Sequence, residues 1–115
     1  MIDIYGLKNC DTCRKAKKAL DGAELAYTFH DVREDNVTKA QITQWAKAVG
    51  TEKLLNKAST TWRNLPDADK GNVTEKKAID LMAKNPTLIK RPVIVRGVTQ
   101  IWAGWAKETQ DALLG

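Results

Sequence analysis

Cysteine, histidine and proline are scarce in this chain of 115 residues, at two, one and three. Two cysteines cannot build the dense disulfide framework that holds a small secreted scaffold together. One histidine and two cysteines would need carboxylates to complete a four-ligand zinc site, so no metal is expected. No stretch approaches the roughly 18 apolar residues of a membrane helix, and the amino terminus lacks a charged lead followed by a long apolar run. A cytoplasmic protein with no membrane partner is the expectation. No low-complexity linker and no fixed-period repeat divides the chain. What is present is 43% hydrophobic and 29% charged residues. That is enough apolar content for one core, so residues 1–115 are expected to form a single domain. The 19 Lys+Arg exceed the 14 Asp+Glu, giving a net charge of +5. Direct nucleic-acid binding would rest on that charge alone, because no aromatic-and-basic stacking motif accompanies it, and it is not expected.

The order of elements follows from hydrophobic period. Met1 to Tyr5 alternates, with Ile2 and Ile4 on one side and Asp3 on the other, and Gly6 to Asn9 supplies a loop. From Asp11, the run DTCRKAKKALDG places Cys13, Ala16 and Leu20 on one helical face, with Gly22 as the stop. Leu25 to Val32 then suits a second strand, parallel to the first, which makes a βαβ unit. The middle, about residues 37–86, reads as a helical insertion. Thr38 with Gln41 is a capping-box pattern ahead of Ile42, Trp45, Ala46 and Val49, and Gly50 stands where that helix ends. Thr51 caps a short turn through Leu54 and Leu55, and Thr74 caps a helix with Ala78, Leu81 and Met82 inward. Pro92 opens Val93 to Val95, Arg96 and Gly97 make a turn, and Val98 to Trp102 returns as a hairpin partner. A last helix is expected to turn Trp105, Thr109, Ala112 and Leu113 inward. The fold class is α/β.

The chemistry concentrates in Cys10-Asp11-Thr12-Cys13-Arg14. Cys10 falls between a strand and the first helix, where unpaired N–H groups and the helix dipole favour thiolate over thiol. Such settings lower a cysteine pKa from ~8.5 to between about 3.5 and 7.5. Cys10 is therefore a candidate nucleophile. Arg14, one turn on, could hold an oxyanion beside the sulfur, with Lys8 as a further cation. A C-x-x-C next to a βαβ pattern reads as a thioredoxin-like redox motif. Cys13, however, is in register with Ala16 and Leu20, so core packing and a role as resolving thiol account for it equally. In Leu88-Ile89-Lys90-Arg91-Pro92, Pro92 suits a strand's first residue, and X-Pro bonds can be cis. Arg91 reads either as an anion clamp, through its two-pronged guanidinium, or as a solvated charge at a strand edge. His30 and Asp31, ending the second strand, read as a surface hydrogen-bonded pair rather than a catalytic couple. Trp45 and Trp105 read as core, and Trp62, in the polar loop NKASTTWRN, reads equally as substrate-facing or structural.

Three segments, IYGLKNCDTCRKAKKAL, LLNKASTTWRNL and LIKRPVIV, resemble the arsenate reductase ArsC-like family, most closely its YffB branch and more distantly the Spx regulators. The similarity spans nearly the whole chain in the same order. It implies a thioredoxin-like fold with a helical insertion between the N-terminal βαβ unit and the C-terminal hairpin plus helix. It also implies Cys10 as catalytic cysteine, Arg14 completing a C-x3-R pattern, Arg91 as anion-binding arginine and Pro92 as a cis-proline beside the cysteine. Where arsenate reductases of the family carry a histidine four residues before the cysteine, this chain has Gly6. Where they carry an arginine in the middle segment it has Asn56, the nearby arginine of YffB-like sequences falls on Ala58, and Gln100 to Gly104 contains no arginine. Arg91 and Arg14, with Trp62 and Arg63 from the middle segment, form a candidate site for the carboxylates of glutathione.

The resemblance thus implies a glutathione- or glutaredoxin-dependent thiol oxidoreductase. Its Cys10 thiolate would attack a glutathionylated substrate or an arsenic oxyanion, and glutathione, glutaredoxin or Cys13 would resolve the intermediate. No tightly bound cofactor is expected. The alternative is a Spx-like regulator in which Cys10 and Cys13 form a sensing disulfide and a basic surface docks on RNA polymerase.

Overall fold

A computed structural model describes residues 2–34, 37–71, 73–97 and 100–115. The chain divides into two compact units, one of residues 1–35 with 91–115 and the other of residues 36–90.

The first unit is built on a four-stranded mixed sheet. β1 (Ile2–Gly6) lies between β2 (Tyr27–Asp31), which runs parallel to it, and the antiparallel β3 (Val93–Arg96). β4 (Gln100–Ala103) closes the order β2-β1-β3-β4, pairing with β3 from Val93 opposite Ala103 to Arg96 opposite Gln100. The expected return strand began at Val98; Val98 and Thr99 lie outside the described residues, and the observed strand runs on to Ala103. Gly97, at φ 68°, holds the left-handed turn conformation that a side chain would disfavour.

α1 (Asp11–Gly22) joins β1 to β2, and Cys13, Ala16 and Leu20 are wholly buried along its inward face, as its period dictates. It does not stop through Gly22. The left-handed residue is Glu24, at φ 60°, whose N–H reaches Asp21 O, while Leu25 N–H bonds Leu20 O at 3.0 Å. Ile2, Ile4, Leu20, Ile94 and Leu113 form the core, with Leu25, Tyr27, Phe29, Trp102 and Trp105 packed around it. Each fully covered Leu or Ile contributes about 1.5–3 kcal/mol. Leu113 arrives on α7 (Lys107–Leu114), which buries Thr109 and Leu113 but exposes Ala112. Trp105 precedes that helix and is half-buried, so its place is the edge of the core rather than a helical stripe.

The second unit contains α2 (Lys39–Val49), α3 (Thr51–Leu54), α4 (Thr60–Arg63), α5 (Asp67–Lys70) and α6 (Glu75–Lys84), followed by a 3-10 turn at Pro86–Leu88. Both halves of the Thr38/Gln41 capping box are formed: Gln41 N–H donates to Thr38 Oγ1 at 3.1 Å and Thr38 N–H to Gln41 Oε1 at 3.0 Å. Ile42, Trp45, Ala46, Leu54, Ala78, Met82 and Leu88 fill the interior, all at most 3% exposed. The stretch NKASTTWRN is not a loop throughout. Ser59 accepts from Trp62 N–H at 3.1 Å and caps α4, which carries Trp62 and Arg63.

Candidate functional site

Cys10 is the N-cap of α1. The inward residues of β1 end at Gly6, the chain crosses Leu7 to Asn9, and Cys10 takes extended backbone angles (φ −88°, ψ 124°) before the helix begins. Cys10 N–H bonds Leu7 O at 3.2 Å and Arg14 N–H bonds Cys10 O at 3.0 Å, which closes the first turn. Its sulfur forms no tight cap bond of its own. Burial pushes the Cys10 thiol upward, but the Cys13 N–H, the Cys13 thiol, the Thr12 N–H and the Arg91 charge together outweigh it. The net result is a pKa below the ordinary thiol value.

Cys13 moves the other way. It is fully buried, and burial together with the hydrogen bond and charge of Cys10 pushes its thiol up to about 11, against the Leu7 N–H and Arg91 that favour the anion. Both cysteines are free thiols. The pair is therefore asymmetric: the buried Cys13 keeps its proton near neutral pH, while the half-buried Cys10 is shifted toward thiolate.

Arg91 opens the second stretch of the same unit and acts on both sulfurs. Its bond to Pro92 is cis, and Pro92, fully buried, accepts Gly104 N–H at 2.8 Å. Arg14 has other company. Its guanidinium donates to Asn9 O at 3.2 Å and lies 3.5 Å from Asp11, on the exposed side of the helix. Lys8 pairs with Glu34 at 2.9 Å, and its backbone N–H bonds Asp31 Oδ2 at 3.2 Å.

Asp31, read from the sequence as half of a surface pair, is instead nearly buried and takes part in holding the site. It is 9% exposed and also accepts Arg33 N–H at 2.9 Å, so it ties the turn after β2 to the loop that delivers Cys10. Burial would raise its pKa, but the N–H groups of Arg33, Lys8 and Glu34 and the Lys8 charge bring the net value below the ordinary carboxylate range. The His30 ring bonds Asp3 Oδ1 at 3.0 Å and meets Tyr5 edge-on at 4.6 Å. A carboxylate at the end of a strand, facing the loop of a neighbouring strand, was the available signal.

Asn56, Trp62 and Arg63 belong to the second unit. Asn56 is engaged locally: its N–H bonds Leu88 O at 2.8 Å and its Oδ1 accepts Ala58 N–H at 3.2 Å. Trp62 is half-buried with the Lys57 ammonium 5.5 Å from its ring, and Arg63 is exposed, its carbonyl accepting from Lys70 at 3.1 Å. Among the described residues no group of three His, Cys, Asp or Glu could hold a metal ion, and no helix is long and apolar enough to cross a membrane.

A parallel strand pair joined by a helix, an antiparallel hairpin entered through a cis-proline, and a C-x-x-C at the helix mouth define a thioredoxin-like α/β protein with a thiol pair at its site. The ArsC family model matches residues 5–112, and the chain belongs to the ArsC family. An uncharacterised protein of Haemophilus influenzae is 44% identical over 112 residues, 97% of this chain and 98% of that one. The solved structure of the YffB protein superposes with a TM-score of 0.94 at 36% identity, covering 100% of both chains. That of an arsenate reductase (ArsC) related protein from Brucella melitensis does so with a TM-score of 0.76 at 37% identity, covering 96% and 92%. The global transcriptional regulator Spx of Streptococcus mutans is 25% identical over 83% of this chain and 70% of its own.

Proposed function

We propose that the protein is a cytoplasmic thiol oxidoreductase that uses Cys10 as nucleophile and glutathione as thiol co-substrate. The observation that carries this reading is the asymmetric pair: a half-buried Cys10 held toward thiolate beside Arg91, next to a buried Cys13 that keeps its proton. Cys10 thiolate attacks the glutathione sulfur of a mixed disulfide. A Cys10–glutathione disulfide forms and the substrate leaves as its thiolate. A second thiol, from glutathione or a glutaredoxin, attacks that disulfide, releases an oxidised product and returns Cys10 to thiolate. Arg91 and the first N–H groups of α1 hold the negative charge of the incoming group, whether a glutathione carboxylate or an arsenic oxyanion. Membership of a family that includes an arsenate-reductase-related protein supports the oxyanion as a second electrophile.

The test is mass spectrometry after incubation with oxidised glutathione, alongside turnover of a glutathionylated substrate and of arsenate by wild type and Cys10→Ser. A glutathione adduct on Cys10 and loss of turnover in Cys10→Ser are expected. Unchanged turnover removes Cys10 from the mechanism. A second reading, a Spx-like redox regulator that binds RNA polymerase, draws on the Spx similarity and the paired thiols. It requires an internal Cys10–Cys13 disulfide and polymerase association that depends on it, and a pull-down under oxidising and reducing conditions separates the two.

A further inference from the structure

Gly6 stands at an inward position of β1, in step with the buried Ile2 and Ile4, where the strand's pattern calls for an apolar side chain. Its backbone does not require glycine, since the left-handed glycines among the described residues are Gly50, Gly97 and Gly104. Space is the requirement. A Cβ placed on Gly6 would lie 2.4 Å from Cys13 Sγ, 3.5 Å from Cys13 Cβ and 3.6 Å from Phe29 Cε2. The last two are ordinary contacts, so the sulfur alone forbids a side chain. Neither partner can retreat cheaply. Gly6 O accepts Val32 N–H at 2.9 Å and Gly6 pairs with Asp31 across the sheet, while Cys13 is wholly enclosed on a helix that limits its rotamers.

We propose that Gly6 is a positioning residue for the thiol pair: its missing side chain is the hollow that seats the Cys13 sulfur, one helical turn on from Cys10, and from that seat Cys13 serves Cys10 as a donor. This rests on the oxidoreductase reading above and adds a residue that carries no reactive group of its own. Filling the hollow displaces Cys13 and takes the donor away from Cys10, so Gly6→Ala acts on Cys10 only through Cys13. The Cys13 thiol is consequently a built part of the site, and its burial serves the neighbouring thiolate as well as the core.

The experiment is a double-mutant cycle of Gly6→Ala and Cys13→Ala, read by the pH profile of Cys10 alkylation with iodoacetamide and by thermal unfolding. Loss of one hydrogen bond to a thiolate slows alkylation about tenfold on the acid limb of the profile. Cys13→Ala and Gly6→Ala should each show that loss. Gly6→Ala in the Cys13→Ala background should add less than about twofold, because the remaining Cβ contact is ordinary. An unaltered profile in a folded Gly6→Ala, or an equal effect of Gly6→Ala in both backgrounds, overturns the proposal. If Gly6→Ala does not fold, the double variant decides: a folded double variant supports the collision with sulfur, and an unfolded one refutes it. Failure of the functional reading looks different. Wild-type Cys10 would then titrate at an ordinary thiol value, while the two substitutions would still combine non-additively in thermal stability.

Discussion

Substituting Asp31 by Asn removes a charge from the joint that holds the Cys10 loop while keeping its shape, because the amide mimics the protonated acid. In the wild type one carboxylate oxygen accepts Lys8 N–H at 3.2 Å and the other Arg33 N–H at 2.9 Å, with the Glu34 N–H also favouring the charged form. The amide retains one acceptor and turns its NH2 toward the other N–H, so one charge-assisted bond is lost and one donor is opposed. Lys8 and Arg33 are exposed and water compensates in part, which leaves a loss of about 2 kcal/mol, or roughly 8 °C in Tm for a domain of this size. The pH dependence carries the sharper test. The Asp31 carboxyl titrates below its ordinary value in the folded protein, so its stabilisation is fully present above about pH 4 and fades as pH falls through the depressed folded value. Calorimetry at pH 7 should find the wild type more stable than Asp31→Asn, with the gap closing toward pH 2.5. Cys10 alkylation at pH 6 should also slow in the variant, as its loop loosens. A Tm gap that is the same at both pH values, or absent at pH 7, would refute the reasoning.

Iodoacetamide at pH 8 should label Cys10 in the native protein and leave Cys13 unlabelled, since Cys13 is buried with its thiol at about 11; peptide mapping should find both labelled only after denaturation. Replacing Arg91 by Leu should slow Cys10 alkylation at pH 6 several-fold and reduce its sensitivity to salt, whereas Arg91→Lys should retain most of the rate. Thr38→Ala opens the capping box of α2 and should cost about 1 kcal/mol, seen as faster amide exchange in the first turn of that helix.

How much of this was legible beforehand divides by the range of the forces involved. α1, α2 and α6 were readable because each carries an uninterrupted apolar stripe and a local start signal, and Cys10 was readable because a helix N-terminus is a local electrostatic feature. The short α4 escaped, since four residues are too few to show a period. What Asp31 and Gly6 do escaped for another reason. Their partners, the Lys8 N–H and the Cys13 sulfur, are remote in sequence or on another element, and only the pairing of β1 with β2 and the packing of α1 bring them together. Arg14, by contrast, shows a local interaction: three residues from Asp11 on a helix, its guanidinium pairs with that carboxylate and donates to Asn9 O.

Glu24, held at φ 60° just beyond α1, leaves the chain with an unspent reserve. An L-residue in that conformation gives up about 1 kcal/mol relative to glycine. A helix of 12 residues, about 18 Å long, separates the position from Cys10. Glu24→Gly therefore offers a thermally hardened background in which the more damaging site variants would stay folded long enough to be assayed.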